Sequence, residues 1–132
     1  MTGYNKVFLD TAPLIYFLDE DSNYGEKARL ILEEIISGDK TILSSVITCT
    51  EYLVHPYRTR NQEKIDVFFE FVEDCGIELT GINVGIAKKA AKIRATYKDF
   101  KAMDAYQLAI AMEEGCDIFL TNDKQLRQFK EM

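Results

Sequence analysis

Four acidic residues in this chain follow or lie within short apolar segments that are separated by long stretches of sequence. They are Asp10 in VFLDT, Glu51 in ITCTEYL, Asp104 in KAMDAYQLA and Asp123 in IFLTND. Two carboxylates about 4 Å apart repel by roughly 4 kcal/mol at an effective dielectric of about 20. The positive charge of a divalent cation offsets that repulsion, and Mg²⁺ and Mn²⁺ prefer oxygen ligands such as carboxylates. A site of this kind can hydrolyse a phosphodiester. If the fold brings these acids together, the residue types predict a hard-cation site with hydrolytic chemistry.

Short apolar runs alternate with segments of helical spacing along the chain. This alternation predicts an α/β fold with a mainly parallel sheet that is covered on both faces. We predict strands at residues 6–9, 41–44, 77–82 and 116–120, the third of them at an edge. We predict a helix that has Pro13 in its first turn and runs through Leu18, a second from Ser44 or Ser45 through Val54, and others at residues 24–36, 61–74, 83–97, 102–114 and 124–129.

Three of the acids fall at the ends of these predicted elements. Asp10 ends the first strand, Asp104 lies in the first turn of its helix, and Asp123 lies three residues beyond the last strand. Ligands of open parallel sheets bind beyond the carboxyl ends of the strands, so these acids are expected at one edge. Each could instead cap a helix or favour its dipole, and the sequence leaves both interpretations open.

Glu51 lies well inside a predicted helix, so capping does not explain it. It is four residues after Ile47 and three before Val54, which places it on the margin of the inward face. An ionised carboxylate there is costly without a partner. We therefore expect Glu51 to join the other acids.

Length and composition favour one globular domain over residues 1–132, since 47% of the residues are hydrophobic. No apolar stretch is long enough to cross a bilayer and the N-terminus lacks a signal-peptide pattern, so a cytoplasmic protein is expected. The three cysteines, Cys49, Cys75 and Cys116, form no C-x-x-C pair, which argues against a disulfide framework or a zinc site. We interpret them as small buried hydrophobic residues.

His55 is the sole histidine, and Pro56 after it is expected to end a helix. A partly buried polar residue near that helix end is the interpretation we favour over a ligand or base. With one histidine and no G-x-S-x-G motif, a Ser-His-Asp hydrolase is poorly supported.

The net charge of −6 argues against general nucleic-acid binding, but the charge is unevenly distributed. Residues 84–103 hold six basic residues and one acidic residue, a local charge of +5 that leaves −11 for the rest of the chain. This segment is either a solvated helix face or a track for phosphates, and Lys101 either pairs with Asp104 or contacts a phosphate. The candidate RNA-binding residues are Lys88, Lys92, Lys98 and Lys101.

The order and spacing of these motifs resemble the PIN-domain family over nearly the whole chain. The resemblance rests on FLDTAPLIYFL at the start, an acid in the helix after the second strand, the D-A-x-x-L-A-x-A stretch from Asp104 to Ala111, and TND at the end. It implies a three-layer α/β/α sandwich in which the four acids bind metal. Thr11, Thr121 and Asn122 would support them.

The resemblance also implies a function. Members of this family include the toxin ribonucleases of toxin–antitoxin pairs and some RNA-processing nucleases. It therefore implies an endoribonuclease that uses Mg²⁺ or Mn²⁺ and leaves a 5′-phosphate and a 3′-hydroxyl. A toxin would also form a homodimer and bind a small antitoxin. Candidate contacts for such a partner are Val67 with Phe71 and Tyr16 with Phe17, although core packing is the favoured interpretation of all four.

Other functions remain open at this stage. A phosphotransfer domain with Asp10 as nucleophile would need a second acid two residues later, where this chain has Ala12, and a receiver domain would need paired acids on the first strand. Both are ranked low. The main alternative is a PIN-like module that binds RNA or protein without cutting it.

Overall fold

The computed structural model of the chain describes residues 3–129, except for the side chains of residues 127 and 128. Over this range it confirms the predicted α/β fold. The strands are β1 (Lys6–Leu9), β2 (Thr41–Ser45), β3 (Glu78–Thr80) and β4 (Ile118–Leu120). The helices are α1 (Thr11–Leu18), α2 (Gly25–Ser37), α3 (Val46–Arg58), α4 (Gln62–Asp74), α5 (Val84–Thr96) and α6 (Ala102–Glu113), and a 3-10 helix covers Lys124–Gln128.

The four strands form one sheet in the order β3-β2-β1-β4, and every neighbouring pair is parallel. The predicted edge position of β3 is therefore confirmed. The chain moves from β1 to β2 on one side and returns to add β4 on the other. The carboxyl ends of β1 and β4 thus flank the topological switch point, where ligands of parallel sheets bind.

The two faces of the sheet are buried against different helices. Val7 and Leu9 of β1 pack into a core that also contains residues of α1 to α4. Phe8, which points to the other face, packs with residues of α5 and α6. Because side chains alternate along a strand, this division gives the three layers of an α/β/α sandwich.

The prediction that Pro56 ends a helix is wrong. Pro56 lies inside α3, which continues to Arg58 and ends at Thr59. Proline removes one backbone donor, and near the last turn that loss is confined to a single helical hydrogen bond. Pro56 is buried, whereas His55 is exposed, so the expectation of a partly buried histidine is also wrong.

Core packing is confirmed for Phe71 of α4 and is wrong for Val67. Phe71 is buried and packs against Phe17 with a ring-centroid distance of 5.1 Å, so this pair belongs to the core. Val67 is 40% exposed and lies outside the core. The buried stripe of the helix is instead made by Ile65, Phe68 and Phe71, which follow one another at three-residue spacing.

Two further observations concern the chain as a whole. No helix within residues 3–129 is long and apolar enough to span a membrane. The cysteines are free thiols, of which Cys116 is buried and Cys49 and Cys75 are half-buried.

Candidate active site

Asp10 occupies the centre of the carboxyl edge of the sheet and is only 9% exposed. Its backbone N–H donates to the carbonyl of Leu120 at 3.0 Å, which fixes it beside the end of β4. Its Oδ2 accepts a 2.7 Å hydrogen bond from the Thr121 hydroxyl, and its Oδ1 accepts one of 2.9 Å from the Thr11 N–H. Burial raises the pKa of Asp10, and the hydrogen bonds oppose that rise. Asp10 therefore caps α1 and also faces the switch point.

The turn after β4 places Asp123 near Asp10. The Thr121 hydroxyl that donates to Asp10 also accepts a 3.0 Å hydrogen bond from the Asp123 N–H. Asp123 Oδ1 in turn accepts from the N–H of Gln125 at 2.9 Å and caps the 3-10 helix. Asp10 and Asp123 therefore each cap a helix, as considered above, and both also contact the hydroxyl group of Thr121.

Glu51 is exposed, so the prediction that it lies on the inward margin of its helix is wrong. The buried face of α3 carries Ile47, Thr48 and Leu53 among others, while Val54 is 39% exposed, so this face is rotated away from Glu51. Glu51 Oε1 nevertheless accepts a 2.6 Å hydrogen bond from the Thr11 hydroxyl. That bond directs its carboxylate toward the end of β1.

Gln107 of α6 is a site residue that the sequence analysis missed. It is 1% exposed. Its Nε2 donates to the Thr48 hydroxyl at 2.8 Å and to Asp10 Oδ1 at 3.4 Å, and its Oε1 accepts from the hydroxyl of Ser45. The Thr48 hydroxyl lies 3.2 Å from that of Thr11, so the hydrogen-bonded chain continues to Glu51. A polar residue at a core-facing position of an apolar helix was the available signal.

Ser45 connects this network to the start of α3. Its hydroxyl accepts hydrogen bonds from the N–H groups of Ile47 at 3.1 Å and Thr48 at 3.4 Å, so Ser45 is the N-cap. Ser44 instead donates a 2.7 Å bond to the Leu9 carbonyl. The sequence left open which of these two serines caps the helix. Ser45 is the cap, and Ser44 instead bonds to the end of β1.

The charges of the other three acids all act on the carboxylate of Asp104. Burial is the main cause that raises its pKa to about 6, and the charges of Asp10, Asp123 and Glu51 raise it further. Lys101 partly opposes them. The structure thus brings the four predicted acids into one electrostatic cluster, drawn from four separate stretches of the chain.

The donor set of this cluster fits a hard divalent cation. Among the described residues, no three acids, histidines or cysteines already form a compact ligand group. Burial raises the pKa of both Asp10 and Asp104, and neighbouring carboxylates raise both further, so a cation at this place would stabilise their ionised forms. Carboxylate oxygens are the ligands that Mg²⁺ and Mn²⁺ bind.

The candidate RNA-binding lysines are not all beside the acids. The charge of Lys101 acts on Asp104. Lys88 and Lys92 line a groove with Glu113 in the last turn of α6. Glu113 is about 14 Å along the helix axis from Asp104, at 1.5 Å per residue. Lys98 borders a separate hollow in the loop between α5 and α6.

A parallel α/β sandwich with carboxylates clustered at its switch point defines the class of this protein. The model of the PIN domain matches residues 7–132. The chain belongs to the PIN-domain family, as the motifs predicted.

Solved structures with the same fold include chains from three bacteria. A chain of a toxin–antitoxin complex from Klebsiella pneumoniae superposes with a TM-score of 0.70 at 22% identity, covering 91% of this chain and 89% of that one. VapBC2 from Rickettsia felis, bound to a DNA fragment from its promoter, gives 0.72 at 17% identity over 93% and 92%. VapC20 from Mycobacterium tuberculosis, a toxin that cleaves the sarcin–ricin loop, gives 0.69 at 12% identity over 96% and 98%. A search of curated protein sequences gave no match.

Proposed function

We propose that this chain is an endoribonuclease that depends on Mg²⁺ or Mn²⁺ and acts as the toxin of a toxin–antitoxin pair. The observation that supports it most directly is that Asp104 is partly buried beside Asp10, Glu51 and Asp123: burial, with a further contribution from these three charges, raises the pKa of Asp104 to about 6. Family membership and the similarity to a toxin that cleaves RNA favour the same chemistry.

The four acids would hold the metal, with Asp10, Glu51 and Asp104 as the main ligands and Asp123 as a ligand of a second ion or an orienting group for water. A bound divalent cation supplies an activated water and stabilises the leaving oxygen of the phosphodiester. Thr121 and Gln107 orient the carboxylate of Asp10 and favour its ionised form, since their hydrogen bonds oppose the rise in pKa that burial causes. Water attack on the phosphorus would leave a 5′-phosphate and a 3′-hydroxyl.

Thr11 has a positioning role in this proposal. Its N–H donates to Asp10 and its hydroxyl to Glu51, so one residue aligns two carboxylates from different elements. Asn122 acts further out, where its side-chain amide donates to the Tyr16 hydroxyl at 3.0 Å. Each bond fixes a rotamer before substrate binds, which is how a pre-organised site gains rate.

The proposed biological partners are a small antitoxin and a second copy of the chain. The Klebsiella pneumoniae and Rickettsia felis structures are both toxin–antitoxin assemblies. An acidic cluster at the sheet edge is complementary to a basic group from an inhibitor segment. Co-expression with the product of an adjacent short reading frame, followed by measurement of complex mass and residual RNase activity, tests both partners.

The test of the activity is cleavage of RNA by the purified protein. We expect cleavage with added Mn²⁺ and none with excess EDTA. The Asp10→Asn and Asp104→Asn proteins should each lose at least about 100-fold in rate, because a lost ligand removes several kcal/mol of transition-state stabilisation. Asp66→Asn is the matched control, since Asp66 is an exposed acid on α4 that bonds Gln62. Undiminished cleavage by either site variant would refute the proposal.

Isothermal titration with Mn²⁺ separates the nuclease from a binding module that does not cut RNA. The nuclease proposal requires Mn²⁺ binding that disappears in Asp104→Asn and persists in Asp66→Asn. A protein that binds RNA but takes up no Mn²⁺ would instead be the non-catalytic module.

A further inference from the structure

A cavity of about 360 Å³ opens beside the acid cluster, between α1, α2 and the turn after β4. Its walls combine an apolar interior with polar groups. The apolar lining comes from α1, α2 and the end of β4, and the polar or aromatic lining comprises Tyr16, Asn23, Tyr24, Lys27, Thr121 and Asn122. This size and composition are those of a site for a small ring system.

The cavity shares a wall with the proposed metal site. Thr121 lines it and donates its hydroxyl to Asp10 at 2.7 Å. Asn122, the next residue, also lines the cavity and donates to the hydroxyl of Tyr16, another lining residue, at 3.0 Å. Whatever occupies the cavity therefore lies beside the residue that orients the carboxylate of Asp10.

Two tyrosines form the aromatic side of the cavity. The rings of Tyr16 and Tyr24 stack with centroids 4.9 Å apart and an interplanar angle of 30°, and Tyr24 is 46% exposed. An exposed aromatic face of this kind is a platform on which a base can stack.

The loop that carries Tyr24 is held in place before any ligand binds. Oδ2 of Asp21 accepts hydrogen bonds from the N–H groups of Asn23 at 3.0 Å and Tyr24 at 2.8 Å. Gly25 lets this loop approach α1 closely, because a Cβ there would lie 3.1 Å from the Tyr16 carbonyl oxygen. The aromatic wall is thus pre-organised, which reduces the entropic cost of binding.

We propose that this cavity is a subsite for one unpaired nucleobase of the RNA substrate, adjacent to the scissile phosphate. The inference rests on the proposed nuclease function and specifies how that site would select its substrate. Single-stranded bases are recognised by stacking on aromatic rings and by hydrogen bonds to their edges. Tyr24 supplies the ring, the amides of Asn23 and Asn122 supply donors and acceptors, and Lys27 at the rim supplies a cation for a neighbouring phosphate.

The experiment measures binding without cleavage. A fluorescent oligoribonucleotide that the wild type cuts, or a mixed-sequence one if it cuts none, is titrated with the Asp104→Asn protein, and single abasic sites are moved along it. We expect one abasic position to weaken binding about tenfold, since one stacked base contributes that much. In the Asp104→Asn background, Tyr24→Ala should weaken binding of the intact RNA to the same extent and make that abasic position silent.

Two further variants test whether the ring itself is responsible. Tyr24→Phe keeps the ring and should bind RNA as the parent does. Tyr57→Ala removes a tyrosine that is 61% exposed on α3, outside the cavity, and should have no effect. The abasic series uses the unaltered cavity, so it remains decisive even if Tyr24→Ala folds poorly.

The outcomes separate this inference from the nuclease proposal. An abasic series with no sensitive position, or a folded Tyr24→Ala protein that binds intact RNA normally, overturns the subsite, even if the wild type cleaves RNA. A sensitive position silenced by Tyr24→Ala supports the subsite, even if the wild type cleaves nothing with Mn²⁺. If Tyr24→Ala abolishes binding of an antitoxin while the abasic series shows no sensitive position, the cavity serves a protein partner and the inference is overturned.

Discussion

The hydroxyl of Thr121 donates a 2.7 Å hydrogen bond to Oδ2 of Asp10, a residue 111 positions earlier in the chain. The same hydroxyl accepts a 3.0 Å bond from the N–H of Asp123. One threonine, directly after β4, therefore fixes the positions of two of the four acids relative to each other. This arrangement is possible because Leu9 and Leu120, the last residues of β1 and β4, are paired in the sheet.

Removal of the Thr121 hydroxyl should change the pH dependence of activity. In Thr121→Val, we expect the pKa of Asp10 to rise further, because the hydrogen bond from Thr121 lowers it. Hydrogen bonds to charged groups contribute about 1.5–3 kcal/mol, so RNA cleavage should fall roughly tenfold at the acidic end of the profile, where Asp10 takes up a proton, and less as the pH rises. The measurement is a pH–rate profile of both proteins. Thr96→Val, which removes an exposed hydroxyl on α5, should leave the profile unchanged. An equal loss at every pH would contradict the role assigned to Thr121.

Substitutions of Gln107 should separate packing from charge. Gln107→Leu removes the amide that joins Ser45, Thr48 and Asp10 and should cost about 1–3 kcal/mol in the free energy of unfolding. Gln107→Glu places a second carboxylate beside Asp10, which should cost about 3 kcal/mol or more at pH 7. Urea unfolding at pH 7 and pH 5 distinguishes the two variants. Protonation at the lower pH relieves the repulsion between the glutamate and Asp10 in Gln107→Glu, whereas Gln107→Leu has no such repulsion to relieve. If Gln107→Glu were equally destabilised at both pH values, repulsion of Asp10 would not be the cause.

The acid cluster should make the metal-free protein less stable as the pH rises. The pKa of Asp104 is raised from 3.8 to about 6, so between these values the folded state binds more protons than the unfolded state. Stability then decreases with pH over this window, and because Asp104 is partly solvated the loss is on the order of 1 kcal/mol. In EDTA, the unfolding free energy of Asp104→Asn should therefore gain that amount relative to wild type from pH 4.5 to pH 7. A constant difference across this range would exclude the shift.

Lys101 should affect the pKa of Asp104, whereas Lys88 should not. The charge of Lys101 lowers the pKa of Asp104, so Lys101→Gln should raise its titration midpoint in a carboxyl-carbon NMR titration. Lys88 lies in a groove with residues from the far end of α6, and Lys88→Gln should leave the midpoint in place. A midpoint that is the same in wild type and Lys101→Gln would show that the lysine acts elsewhere, for example on a substrate phosphate.

Much of the fold was predictable because local patterns record it directly. The apolar runs that became β1, β2 and β4, and the helical spacing that became α2, depend on neighbours in sequence. Parallel strands share a carboxyl edge, so the residues that end strands were expected to meet there, and Asp10 and Asp123 do. The family was predictable for the same reason, since its motifs mark those ends.

Only the tertiary structure decided which side of each helix faces the sheet. The rotation of α3 exposes Glu51 and that of α4 exposes Val67, because the best packing of many side chains at once sets a helix's orientation. Tertiary packing also brought Gln107 of α6 to Thr48 of α3 through the end of the sheet. Sequence spacing fixes where a residue lies along its own element, whereas its partners depend on how distant elements pack.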